Sequence, residues 1–588
     1  MTNFVLYRLF LASFVLFTGI SQAADVASEP LHQLFDKEWQ ARMDRSPEFA
    51  QSLGDLSKSD QLSDVSEFAQ QKWLEVTEDF LKQLEDINYL SLSQVDKINY
   101  QIFKQQLNNR QANLLFKDYQ IPFLADSGFH TSIARLPVET EFNSEQDYHS
   151  YLSRLEKVPK FFKQNIDNMN QGLARNFAMP VIVMQGFTEV IHQQIGGAVT
   201  DSVFYKPFSQ LPDGMSKRLK DSLRKKAKTV ISTSVIPAYR DLAHYFETVY
   251  IPKTKQSLGA RDFPDGQGYY QHKIRQYTTG DLTPEAIHLI GLNEVKRIRK
   301  EMEGIIQSLD FKGDFKAFLK FLRQSPQFYA TTPEQLLKEA AYIAKRMDGQ
   351  LPRFFTKLPR QPYTVEPVPE SIAPKYTTGR YVSAPLSSTR PGTYWVNTYA
   401  LDKRPLYVLE SLTLHEAVPG HHLQGALNQE LENLPNFRRY SYISAFGEGW
   451  ALYCEKLGLE AGFYQDPYSD FGRLSYEMWR AARLVIDTGI HGFGWSREQS
   501  IALLEENSAL SKHNIRTEVD RYISWPGQAL SYKLGELKII QLRQMAEEKL
   551  ADKFDIRTFH DAILENGSIP LDILEQKIQH YVQQQLVK

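Results

Sequence analysis

Apolar residues recur at three- and four-residue spacing through segment after segment of this chain, and that period constrains its fold more than any other feature. A 3.6-residue period gathers them on one face of a helix, which must then be buried against another element. Phe68 to Leu84, Ser144 to Met169, Lys217 to Tyr250, Pro284 to Leu309, Pro333 to Met347 and Ile539 to Leu550 all carry it. Start signals agree. Thr283-Pro284-Glu285 and Thr332-Pro333-Glu334 each set a capping hydroxyl before a proline, which the first helical position tolerates. No repeat of 20–50 residues and no low-complexity linker divides the chain. The expected fold is mainly α.

Between Leu351 and Leu401 the helical period stops. Proline is frequent there, and Arg380-Tyr381-Val382-Ser383-Ala384-Pro385 and Thr393-Tyr394-Trp395-Val396-Asn397-Thr398 have strand composition. The turn-rich connection between them, 386–392, predicts a small antiparallel β ribbon. An edge strand of such a ribbon can bind an extended peptide by strand addition, or simply pack beneath the helices.

The N-terminus has one cation, Arg8, then the apolar run Leu9 to Phe17, with small residues at Ser21 and Ala23. This pattern reads as a signal peptide over residues 1–23, cleaved after Ala23, with a periplasmic or secreted product. The run is too short to span a bilayer comfortably. About 565 residues remain, enough for a large core. Lys+Arg 68 against Asp+Glu 70 gives a net charge of -2, which argues against a nucleic-acid partner. Mean hydropathy is -0.42 and no later run reaches membrane-spanning length. Cys454 is the single cysteine, so any metal site must use histidines and carboxylates.

His415-Glu416-Ala417-Val418-Pro419-Gly420-His421-His422 sets three imidazoles and a carboxylate directly after the apolar run Tyr407 to Leu414. Many zinc hydrolases begin their metal helix this way: the histidine binds the ion and the adjacent glutamate takes a proton from the attacking water. The usual H-E-x-x-H places its second ligand one turn on, where this chain has Pro419. His422 lies near the same face of an unbroken helix, two turns along. His421 is reached if Pro419-Gly420 bulges or breaks the helix. The reading favours His421, with His422 as alternate ligand or supporting partner. Downstream, Glu448 lies between Gly447 and Gly449 in an apolar, aromatic segment. A carboxylate there needs a partner, either a metal or one of the nearby arginines. Glu455, seven residues on, is placed to share the face of Glu448 or to orient a ligand histidine.

Three motifs together resemble the bacterial family catalogued as domain of unknown function 885: His415-Glu416-x-x-Pro-Gly-His421-His422, Gly447-Glu448-Gly449-Trp450-Ala451-Leu452-Tyr453, and Pro526-Gly527-Gln528-Ala529-Leu530-Ser531-Tyr532-Lys533. The metal motif is similar to those of thimet-oligopeptidase and angiotensin-converting-enzyme relatives, where Gly also precedes the second ligand. Dipeptidyl-peptidase III relatives insert one residue between the ligand histidines. Glu448-Gly449-Trp450-Ala451 resembles the segment that supplies the third ligand in gluzincin aminopeptidases. The resemblance implies a large helical zinc-peptidase-like fold with a central cleft, Zn2+ held by His415, His421 and Glu448, and Glu416 as base. It implies one catalytic unit over 24–588: a helical part to 350, the ribbon at 351–401 and the metal-site helices at 402–588.

Peptide hydrolysis also needs a donor for the oxyanion. Tyr532 and His491 are the candidates, Asp487 standing four residues before His491 to fix its tautomer. Lys533, Arg521 and Arg480 are candidates for a substrate carboxylate, and Asn397 and Arg390 for peptide backbone. The expectation is an exported zinc-dependent peptidase acting on short peptides as an oligopeptidase, carboxypeptidase or dipeptidase, with no membrane partner after cleavage. A metal-dependent hydrolase of another amide or ester, or a non-catalytic peptide-binding protein, are the alternatives.

Overall fold

A computed structural model describes residues 28–370, 372–384 and 390–587. The expected signal peptide lies outside them, as does most of the expected turn between the ribbon strands. The described chain is mainly helical, with one small sheet. None of its helices is long and apolar enough to cross a membrane. It divides into two compact units: residues up to Ser257 with Pro435–Phe437, and Leu258–Leu434 with Arg438 onwards.

In the first unit the helices begin where capping residues stand. Ser66 accepts from the Ala69 N–H at the start of Glu67–Glu85, and Ser93 from the Asp96 N–H at the start of Gln94–Phe116. The single helix expected over 144–169 is two, Glu145–Glu156 and Val158–Ala174. Pro159 sits in the first turn of the second, where it lacks the N–H that a continuous helix would use. Lys217 to Tyr250 keeps its helical course but contains π-turns at Ile231–Val235 and Phe246–Tyr250, each running towards a proline, Pro237 and Pro252. Tyr239 and Phe162 anchor this unit's core edge to face, ring centroids 5.0 Å apart.

The second unit holds α1 (Gly266–Thr278), α2 (Pro284–Ser308), α3 (Leu409–Glu416), α4 (His421–Gln429), α5 (Ser444–Leu457), α6 (Pro467–Phe493), α7 (Lys512–Ser524) and α8 (Ser531–Leu550). Glycines set how closely these pack. A Cβ on Gly291 of α2 would come within 2.8 Å of Leu484 and Val485 of α6. On Gly535 of α8 it would lie 2.0 Å from the Ala445 carbonyl of α5. Both pairs of helices therefore touch backbone against side chain or backbone. Residues Phe471 to His491 of α6 are buried without interruption.

The sheet has strands β1 (Tyr363–Pro367), β2 (Gly379–Val382) and β3 (Gly392–Val396) in the order β1-β3-β2. β2 and β3 form the expected antiparallel ribbon, Tyr381 opposite Tyr394. β1 adds a parallel neighbour to β3 that the sequence did not disclose, because it is only five residues long and closes on Pro367. The Asn397 N–H donates to the Thr378 carbonyl, which continues the β2–β3 ladder. Hydrogen-bonded pairs alternate along an antiparallel ladder, so the Tyr381 N–H points away from β3.

Candidate metal centre

α3 ends at Glu416 and α4 starts at His421, with a four-residue break between them. Backbone bonds span the break widely: the Gly420 N–H reaches the Leu414 carbonyl at 3.0 Å, and the His422 N–H reaches Ala417 at 3.0 Å. Gly420 is sterically required, since a Cβ would fall 1.9 Å from the His415 carbonyl oxygen. The Pro419 carbonyl accepts from the indole N–H of buried Trp450 at 2.8 Å, which ties the break to α5. This local path brings His421 round to the side of His415.

The result is a tight triad. His415 Nε2 and His421 Nε2 lie 3.6 and 3.5 Å from Glu448 Oε2, and one ligand atom from each residue falls within 4.8 Å of the others. Ligand atoms about 2.1 Å from a shared zinc at tetrahedral angles would be about 3.4 Å apart. The donor set therefore fits a zinc ion with three protein ligands. His415 has a side-chain exposure of 4%, whereas His421 and Glu448 keep 16% and 15%, so one side of the triad faces solvent.

Supporting contacts fix the candidate ligands. His415 Nδ1 pairs with Glu455 Oε1 at 2.8 Å, and Glu455 is held by Ser411 Oγ at 2.5 Å and by Arg480 at 3.4 Å. Such a partner fixes the tautomer that presents Nε2. Burial alone would push His415 down, but hydrogen bonds to Glu448 and Glu455 and the Glu416 charge raise it to about 10. The surroundings thus favour positive charge at this point, as a cation site requires. Gly447 and Gly449 each have a reason. A Cβ on Gly447 would strike the Tyr442 ring at 2.3 Å, and one on Gly449 the Gly535 backbone at 2.5 Å. Tyr442 in turn hydrogen-bonds Glu448.

Glu416 accepts the outward Tyr381 N–H of β2 at 2.8 Å and faces the Arg380 charge. His422 does not join the triad. Its Nδ1 meets the Tyr381 hydroxyl at 3.1 Å, and its ring packs on Tyr363 at 4.7 Å. Tyr532 interacts electrostatically with Tyr442, which hydrogen-bonds Glu448, and with Arg380, which faces the Glu416 charge. Its ring lies under the Arg483 guanidinium at 4.3 Å.

Four expected site residues are committed to other partners. His491 is buried in α6, its Nδ1 accepting from the Ala260 N–H at 3.0 Å and its Nε2 bonded to the Tyr522 carbonyl at 2.9 Å. Asp487 does not hold it; that carboxylate accepts from the Tyr270 hydroxyl and the Gly527 N–H. Lys533 is enclosed by Glu477, Glu536 and Glu294 at 2.8, 2.7 and 3.1 Å, which leaves it no reach to a substrate. Asn397 donates to the carbonyls of Ala373, Tyr376 and Thr377, so it clamps the loop before β2. Arg480 is similarly engaged with Glu455. Tyr381, Tyr442 and Arg380 escaped sequence reasoning. Nothing in their local pattern distinguishes them from other aromatic and basic residues.

The family described as "Bacterial protein of unknown function (DUF885)" matches residues 47–578. A solved structure described as a "putative lipoprotein" from Colwellia psychrerythraea is 29% identical, with a TM-score of 0.89 over 95% of this chain and 100% of that one. A second, described as "a putative lipoprotein of unknown function" from Shewanella oneidensis, is 18% identical, with a TM-score of 0.74 over 93% and 99%. It shares the fold. No curated protein matches the chain significantly.

Proposed function

We propose, on the premise that the chain belongs to the family described as DUF885, that it is an exported, zinc-dependent peptidase acting on short peptides. One observation carries this reading: two imidazoles and a carboxylate from three helices converge beside a glutamate, Glu416, that follows a ligand histidine directly. A pure binding site has no need of that base. The likeness of the His415–His422 and Glu448–Ala451 motifs to those of zinc peptidases supports the same chemistry.

His415, His421 and Glu448 would hold the ion, which when bound supplies Lewis-acid polarisation of the scissile carbonyl and acidifies water. Glu416 accepts the proton of the attacking water and delivers it to the departing amine. The Tyr381 N–H, donating to Glu416 Oε2, fixes the carboxylate in that position. Tyr532 donates its hydroxyl to the oxyanion as charge develops on the carbonyl oxygen. Glu455, Ser411 and Arg480 hold the His415 ring still throughout.

Metal analysis of purified protein, beside hydrolysis assays on short peptides and simple esters with a chelator as control, tests the proposal. One zinc per chain and chelator-sensitive peptide cleavage are expected. Ester cleavage without peptide cleavage would replace the peptidase with another zinc hydrolase. Export rests on the 1–23 segment and on the lipoprotein descriptions of the two similar structures. N-terminal sequencing of chain recovered from outside the cytoplasm should begin at Ala24.

A further inference from the structure

Beside Tyr532 lies a charge imbalance that the proposed mechanism does not use. Arg483 of α6 donates to the Tyr522 hydroxyl at 2.9 Å and to Glu518 at 3.0 Å, but its Nη1 is buried without a hydrogen-bond partner among the described residues. Arg521 of α7 is 3.9 Å from the same Glu518 and also meets Gln528 at 3.3 Å. One carboxylate therefore stands between two guanidiniums. Arg483 has a side-chain exposure of 3% and Arg521 of 28%, so the pair is enclosed yet reachable from one side.

Two guanidiniums sharing one carboxylate, with a buried N–H group left over, are costly, and the site is poised to accept a second anion. Planar forks of this kind match a carboxylate with paired N–H donors. The anion would sit next to Tyr532, whose ring Arg483 covers at 4.3 Å. Resting on the peptidase reading, in which Tyr532 faces the scissile carbonyl, an anion at this spot would belong to the bound peptide, and the one carboxylate that every free peptide carries is its C-terminus. We propose that Arg483 and Arg521 form a subsite for the C-terminal carboxylate of the peptide, so that the enzyme removes residues from a free C-terminus.

Binding separates this subsite from the chemistry. The zinc-loaded full chain carrying Glu416→Gln is titrated calorimetrically with acetyl-Ala-Ala-Phe-Ala as free acid, as C-terminal amide, and with the amide of acetyl-Ala-Ala-Phe-Glu. The free acid should bind at least about tenfold more tightly than either amide, the worth of a charge-assisted hydrogen bond. Adding Arg521→Gln should bring the free acid down to the level of its amide with zinc content unchanged. Equal binding of acid and amide, no binding of either, or a preference that survives Arg521→Gln overturns the subsite. Equally tight binding of the glutamate-bearing amide overturns it too, because a side-chain carboxylate would then be what is read. Turnover by the unsubstituted enzyme is measured separately: a preference for the acid without any cleavage would refute the peptidase reading and leave the anion subsite standing.

Discussion

His421 and His422 are adjacent in sequence but meet different chemistry. His421 Nε2 lies 3.5 Å from Glu448, while burial pushes His422 down to about 4 and its Nδ1 meets Tyr381. His421→Ala should abolish stoichiometric zinc, and His422→Ala should retain it, both read by metal analysis after dialysis. Glu455→Gln should keep zinc but weaken its affinity about 10- to 100-fold, because an amide orients the His415 ring less firmly; competition with a chelator measures this, and an unchanged affinity would remove Glu455 from the site. The sequence disclosed Glu448 through its flanking glycines and favoured His421, with His422 kept as the alternate. That choice depends on the backbone path through Pro419-Gly420, which residue type alone does not specify. His491 and Lys533 were misread for a related reason. Their partners, Ala260, Glu294 and Glu477, are between 56 and 239 positions away in sequence.

At the scale of elements, amphipathic helices were legible and fully buried ones were not. α2 shows an apolar face and was expected within one residue of its observed end. α6 was not recognised, because Arg473, Glu477, Arg480, Arg483 and Asp487 are buried along with its apolar residues and erase any period. Four of them find an opposite charge inside the protein, Arg473 at Asp470, Glu477 at Lys533, Arg480 at Glu455 and Arg483 at the Glu518 it shares with Arg521, while Asp487 accepts hydrogen bonds from Tyr270 and Gly527. The crossing of α5 and α8 positions Glu448, which neighbours Gly449 at the point of contact. Gly535→Ala should separate the helices and cost about 1–3 kcal/mol or more. Gly304→Ala, on a helical stretch of α2 with no described residue within 4 Å of the added methyl, should instead stabilise by about 0.5–1 kcal/mol. Urea unfolding midpoints test both signs. A neutral Gly535→Ala would show that the crossing is slack, and zinc affinity should fall with stability if the crossing sets Glu448.

For the molecule as a whole, buried titratable groups set how stability responds to pH. Burial lowers His130, in the first unit, to about 4 and His560, in the second, to about 3. His560 is satisfied as a neutral ring, its Nδ1 donating to the Phe354 carbonyl and its Nε2 accepting from Tyr453. Unfolded, both would titrate near 6.5, so their stabilisation is full above pH 6.5 and is lost as pH falls towards 4. Asp487 works the other way. Burial raises it to about 7 despite its bonds to Tyr270 and Gly527, so the folded state holds a proton that the unfolded chain releases near 3.8. Its contribution therefore falls as pH rises from about 4 to about 7. Two substitutions should move the acid slope in opposite directions. His560→Gln should flatten the loss of stability between pH 6.5 and 4.5, by up to about 1.4 kcal/mol per pH unit. Asp487→Asn can keep both hydrogen bonds through its carbonyl oxygen and removes the opposing term. It should raise stability at pH 7 and steepen the decline on acidification. Denaturant titrations at half-unit pH steps read the two slopes, and parallel curves for all three proteins would mean that these side chains titrate in the folded state as they do in the unfolded chain.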